Sequence, residues 1–174
     1  MTYMSILEEL QNHVSTGRLS FVRPMLPGRG VERNIFVSTE VGEFLNGGAS
    51  VHARFDRVAG EARAQIDAFT TGRAIRFAMD PMRKDPATLV ARNAPTSKGI
   101  VDMRIRQPRP QIRIFGAFAQ VDSLILLTWE ARDNLRFGAA VKRCRAQWDL
   151  LFPQNSPLIG ATHAEYISRN IIIG

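Results

Sequence analysis

Residues Ile100–Trp129 read IVDMRIRQPRPQIRIFGAFAQVDSLILLTW, three apolar-rich segments separated by two turns. Ile100–Arg106 alternates, with Val101, Met103 and Ile105 on one side and Ile100, Asp102, Arg104 and Arg106 on the other. Gln107–Pro110 carries two prolines and reads as a turn. Ile112–Phe118 alternates again, Ile112, Ile114, Gly116 and Phe118 against Arg113, Phe115 and Ala117. After a second turn at Gln120–Ser123, Leu124–Trp129 is apolar almost throughout, the pattern of a strand buried on both faces. The period of two and the short turns predict an antiparallel β-meander.

Helical periodicity flanks this stretch. Leu135–Phe152, opened by Asp133 or Asn134 and stopped by Pro153, places Phe137, Ala140, Val141, Cys144, Trp148, Leu151 and Phe152 on one face. Lys142, Arg143, Arg145 and Asp149 take the other face. Ala53–Phe69 repeats Phe55, Val58, Ala59, Ala62, Ile66 and Phe69 every three or four residues, and Tyr3–Val14 shows the same spacing. Leu19–Arg23 and Asn34–Ser38 read as short strands, followed by a brief helix containing Val41, Phe44 and Leu45. Asp80–Thr96, rich in proline and charge, reads mainly as loop. The tail holds His163, Glu165 and Tyr166 in a short helical segment and ends in a strand at Ile171–Ile173. The expected fold is α+β: an antiparallel β-meander flanked by helices, with an N-terminal helical and strand extension. Residues 1–174 form one domain, with 1–52 as the extension and 53–174 as the core.

A chain of 174 residues can bury a sizeable core without disulfides, and its single cysteine, Cys144, excludes an internal one. Acidic residues near the N-terminus stand where a signal peptide would carry lysines, and the longest apolar run is too short to span a bilayer, so a cytoplasmic location and no membrane partner are expected. The net charge of +7 is localised. Residues 73–113 contain ten basic side chains against Asp80, Asp85 and Asp102, whereas residues 1–72 sum to −1 and residues 114–174 to +1. Such a field attracts polyanions, and the dominance of arginine over lysine favours forked contacts to phosphate.

Motifs for nucleotide or metal chemistry are lacking. Gly28-Arg-Gly30 has neither the lysine nor the helix of a phosphate-binding loop. His13, His52 and His163 are scattered without ligand spacing, so neither metal nor cofactor is expected. Cys144 sits on an apolar helix face, the setting of a structural thiol rather than a nucleophile. Trp129 and Trp148 read as core anchors. The candidate chemistry therefore rests on Arg104, Arg106 and Arg113 as phosphate contacts at a catalytic site, with His163 and Tyr166 supplying proton transfer or stacking. Lys98, Arg109, Lys142, Arg143 and Arg145 are candidates for binding nucleic acid along a groove between the last helix and the sheet.

The order of these segments resembles the RelE/HigB superfamily of bacterial toxins over about residues 53–152. Asp102-Met-Arg104-Ile-Arg106, Ile112-Arg113-Ile-Phe115 and Leu124–Leu127 take the places of that family's three strand motifs. The resemblance implies a small twisted antiparallel sheet with flanking helices, metal-independent mRNA cleavage at the ribosome, and neutralisation by an antitoxin protein. Arg104, Arg106 and Arg113 match the family's basic strand positions. One departure is Trp129-Glu-Ala-Arg132-Asp133, where HigB-like members commonly carry a lysine pair. Two other function classes fit the same residues. One is a non-catalytic binding module for nucleic acid or an acidic protein. The other is an assembly subunit whose Ile171–Ile173 tail adds a strand to a neighbour.

Overall fold

The structure, a computed structural model, describes residues 4–47 and 53–172. Tyr3, His52 and Ile173, named above, lie outside the described residues. The elements in chain order are α1 (Ile6–Ser15), β1 (Leu19–Phe21), β2 (Asn34–Ser38), α2 (Thr39–Leu45), α3 (Asp56–Thr70), β3 (Ile75–Ala78), β4 (Val90–Arg92), β5 (Val101–Ile105), β6 (Ile112–Gln120), β7 (Ser123–Ala131), α4 (Phe137–Leu151), α5 (His163–Tyr166) and β8 (Ile171–Ile172).

The fold is α+β, and the expected meander is its centre: β5, β6 and β7 pair antiparallel in sequence order. The sheet extends both ways in the order β1-β2-β7-β6-β5-β4-β3-β8. The β2–β7, β3–β4 and β3–β8 pairs are parallel and the others antiparallel. Because β2 lies between β1 and β7, residues on both sides of position 52 build one sheet.

Helices cover both faces. Val101, Met103, Ile105, Ile114, Phe118 and Leu126 point towards α2, α3 and the tail, packing with Phe44, Val58, Ile66, Phe69 and Tyr166. Phe115, Ala117, Ile125 and Leu127 point the other way, against Leu10 of α1 and Val141, Cys144 and Trp148 of α4. Every residue of β6 from Ile112 to Phe118 is buried. A buried Ile or Phe side chain contributes roughly 1.5–3 kcal/mol, so the apolar side chains of this one strand together offset the several kcal/mol that burying its single charge, Arg113, costs.

Local sequence accounts for the helix ends. Ser5 Oγ accepts from the Glu8 N–H, and the Glu8 carboxylate accepts from the Ser5 N–H at 2.7 Å, a reciprocal cap that holds Glu8 below the usual carboxylate range. Ser38, the last residue of β2, caps α2. α4 begins at Phe137, after a 3₁₀ turn at Arg132–Asn134 that takes up the Asp133-Asn134 pair expected to open the helix.

The stretch Asp80–Thr96, expected as loop, contains β4, and β3 precedes it unforeseen. Strands of three and four residues are too short to show a period, and their place is set by pairing, β4 with β5 and β3 with β4, rather than by their own pattern. The expected tail strand is present as β8, but inside this chain it pairs with β3.

That tail is tied down by Arg33, which is 2% exposed. Its Nη1 donates to the carbonyls of Phe69 and Arg73, and its Nη2 to those of Arg169 and Asn170. Its guanidinium also lies 5.1 Å from the centre of the Phe69 ring. One side chain thus joins the end of α3 to the start of β8. The Arg33→Ala variant is expected to lose about 3 kcal/mol of stability in a urea titration, because four carbonyls each lose one donor at once. Gly116 sits at a register shift between β6 and β7, where a Cβ would collide with the Ile125 carbonyl. The Gly116→Ala variant should therefore accumulate poorly as soluble protein, an outcome that expression yield and thermal melting will read.

Candidate anion site at the start of helix α4

The register of the meander places three ionisable side chains in one row across the sheet. Arg104 of β5 is opposite Arg113 of β6, which is opposite Glu130 of β7. The row lies on the α4 face, since the neighbours Met103, Ile114 and Trp129 pack on the other. One step along, Asp102 lies opposite Phe115. Period-two alternation therefore brings Asp102, Arg104 and Arg113 to one patch.

Asp102 is fully buried and Arg113 is 4% exposed, with Nε 3.3 Å from Asp102 Oδ2. Neither of these two atoms has a hydrogen-bond partner, so they meet as charges rather than as an aligned bond. Asp102 Oδ1 accepts from the Asn93 side chain at 3.0 Å and lies 3.8 Å from Lys84 Nζ. Arg113 Nη1 turns back to its neighbour's carbonyl at Ile112. Burial pushes Asp102 above the usual carboxylate range against the pull of Lys84 and Arg113. Burial also lowers Lys84 and Arg104, and it lowers Arg113 to about 10 despite Asp102. The charges of Arg104, Arg132 and Arg106 add to the pressure on Arg113.

The first turn of α4 closes the patch. Lys84 Nζ and Arg132 Cζ lie 5.5 and 5.4 Å from the centre of the Phe137 ring, the first residue of the helix. No side chain caps this end and its first turn holds no acid, so its free N–H groups add positive potential. Lys84, Arg104, Arg106, Arg113 and Arg132 thus gather about Asp102, with Glu130 opposite Arg113 and Glu61 lining the hollow that Arg104 and Arg106 share with the β3–β4 connection.

Only part of the expected site comes together here. Arg104, Arg106 and Arg113 do converge, but Arg113 lies beneath the surface. Arg104 and Arg106 also brace the β3–β4 connection, donating to the carbonyls of Asp85 and Pro86 at 3.3 and 2.6 Å. Arg109 is exposed in the β5–β6 turn. His163 and Tyr166 lie under the opposite face. The Tyr166 ring stacks 5.0 Å from Phe77 and its hydroxyl accepts from the Gly160 N–H, while His163 lies 6.0 Å from Phe77. A sheet layer separates both from the arginines.

The basic side of α4 does not form a common groove with the meander. Arg143 reaches Glu40 at 2.7 Å, beside α2. Arg145 pairs with Asp149 at 2.8 Å and donates to the carbonyl of Lys98. Lys142 is exposed. Trp129 is packed on Phe44 and Phe55, and Trp148 is fully buried, donating to the carbonyl of Asn155, so neither offers a stacking surface. Among the described residues no cluster of three or more metal-ligating side chains forms.

Lys84 and Arg132 were not singled out as site residues by spacing, because each reaches the patch from a connection whose path local sequence does not set. A signal was present at Asp102, an acid in phase with Arg104 and Arg106 on an otherwise cationic strand face.

No protein-family model matches the chain, and no similar protein was found among curated proteins or solved structures.

Two outcomes test this description. Asp102→Ala leaves Lys84 and Arg113 without their shared counter-charge in a buried setting, and should cost about 3 kcal/mol or more in a denaturant titration. Cys144 is buried, with its thiol pushed up to about 12. It should stay protonated at pH 8, and a thiol-reactive disulfide reagent should label it only after the protein is unfolded.

Proposed function

We propose that this chain is an RNA-directed protein that grips the phosphate backbone with its cationic face and does not itself cut the strand. The observation that carries this reading is the gathering of cations near the start of α4, more numerous than the acids Asp102 and Glu130 among them, and continued by the exposed Arg109 in the adjoining turn. Forked guanidinium groups on a rigid sheet suit phosphate oxygens. The scarcity of exposed aromatic rings beside them favours backbone contacts over base stacking.

Cleavage would need a proton acceptor and a proton donor beside the scissile phosphate. The two groups expected in those roles, His163 and Tyr166, pack under the far face of the sheet. Glu130 is the carboxylate in the same row as Arg113, but it has no histidine or tyrosine next to it in that row. Binding without cleavage is therefore the better-supported half of the reading. The resemblance of residues 53–152 to RelE/HigB toxins supports RNA over DNA as the target, and it would add the ribosome and an antitoxin as partners.

A short single-stranded RNA is expected to bind with a log–log salt slope of about −3, as for four to five phosphate contacts. Arg106→Ala and Arg109→Ala should each flatten that slope by about 0.7, and the RNA should be recovered intact. Affinity that does not change with salt would remove the reading, and shortened RNA from a freshly purified sample would replace it with the nuclease.

A further inference from the structure

A hollow of about 220 Å³ opens at the sheet edge beyond the end of β4, lined by α3, the β3–β4 connection and the last residues of β5. Its lining divides by chemistry. Arg104 and Arg106 come from the end of β5, and Glu61 and Gln65 from successive turns of α3. Pro86, Leu89 and Ile105 add apolar surface. Each arginine spends Nη1 on one carbonyl, that of Asp85 or of Pro86, and among the described residues no other hydrogen bond engages either guanidinium. Each therefore keeps further N–H donors in a planar fork. Gln65 donates through its amide nitrogen to Glu61 Oε1 at 2.6 Å, so its own amide oxygen and the second carboxylate oxygen remain as acceptors.

A phosphate suits this hollow poorly, because it would meet Glu61 as a like charge. The occupant has to offer acceptors to the arginines and donors to Glu61 and Gln65. It also has to be small, since sites that enclose drug-sized molecules run to roughly 300–1,000 Å³. A single planar heterocycle meets that limit. Among the RNA bases, guanine carries its acceptors O6 and N7 side by side and its donors, N1–H and the N2 amino group, side by side on the next edge. The O6 and N7 pair is the one a guanidinium grips with two hydrogen bonds. Adenine and cytosine each offer a single donor group, and the one N–H of uracil lies between two oxygens.

We infer that this hollow seats an unstacked guanine of the bound RNA and reads it by its edges. The inference rests on the RNA-directed reading above and adds a base preference to it. Arg106 joins the two, since it lines the hollow and belongs to the cationic gathering, and the exposed Arg109 follows in the adjoining turn. Single-stranded RNA held by its phosphates can splay one base out of the stack and present its edges to side chains. A base gripped by its edges needs no aromatic platform, which agrees with the scarcity of exposed rings beside these arginines.

The test uses the full chain and short labelled RNAs of one length, either all uridine or uridine with a central guanosine, inosine, adenosine or cytidine. Affinity is read by fluorescence anisotropy at fixed salt. The guanosine RNA should bind about tenfold more tightly than the uridine, adenosine and cytidine RNAs, the discrimination of one bidentate contact. Inosine, which lacks only the N2 amino group, should fall between. Glu61→Ala should erase the guanosine preference, and Gln65→Ala, which changes no charge, should lower it. Glu43→Ala removes an exposed acid of α2 outside the hollow and should leave the preference intact. Free guanosine monophosphate carries the base without the strand, and should displace the guanosine RNA only at much higher concentration.

Equal affinity for every RNA overturns the inference and leaves the RNA-directed reading standing. A preference for another base overturns the guanine assignment. A guanosine preference that survives in Glu61→Ala overturns its placement in this hollow. Tight binding of guanosine monophosphate with no binding of any RNA overturns the RNA-directed reading, and this inference with it, and leaves a free-nucleotide site.

Discussion

Strand β6 has to be buried on both faces, and most of the architecture follows from that. Its alternating side chains are apolar on each side of the sheet, so neither face can be left to water, and a helical layer is needed on both. α2 and α3 cover one face, and α1 and α4 the other. β5 and β7 satisfy its backbone on either side, and the register shift at Phe115/Gly116 lets Leu127 and Thr128 follow one another towards α4 without breaking the ladder.

The same strand carries the one charge that breaks its pattern. Arg113 lies in phase with Phe115 and Ala117, so the register that packs those two under α4 carries a guanidinium inward with them. The protein accommodates it with Asp102 from the neighbouring strand, with Lys84 from a connection, and with an open helix end in place of a hydrophobic cap. The electrostatic feature of the molecule is thus a consequence of sheet register. A one-residue slip of β5 against β6 would turn Asp102 and Arg104 to the α3 face and leave Arg113 without a counter-charge.

The two faces of the sheet then play different roles. The α2–α3 face holds most of the aromatic core, together with Tyr166, Phe77 and the tail that Arg33 anchors. The α4 face is apolar where Trp148 and Cys144 pack and ionic where the helix begins.

The meander was legible because alternation over five to nine residues is a strong local signal, and so were α3 and α4, whose apolar faces repeat over fifteen residues. The localisation of positive charge in residues 73–113, and the sharing of a strand face by Asp102, Arg104 and Arg106, also follow from sequence, since pleating puts every second residue on one side. Tertiary structure alone decided which helix that face meets, and therefore that Arg113 is buried while Arg109 is not. It also decided that His163 and Tyr166 lie across the sheet from the arginines, and that Lys84 and Arg132 join them. Each of these depends on contacts between residues tens of positions apart, where a single side chain carries no periodic trace of its partner.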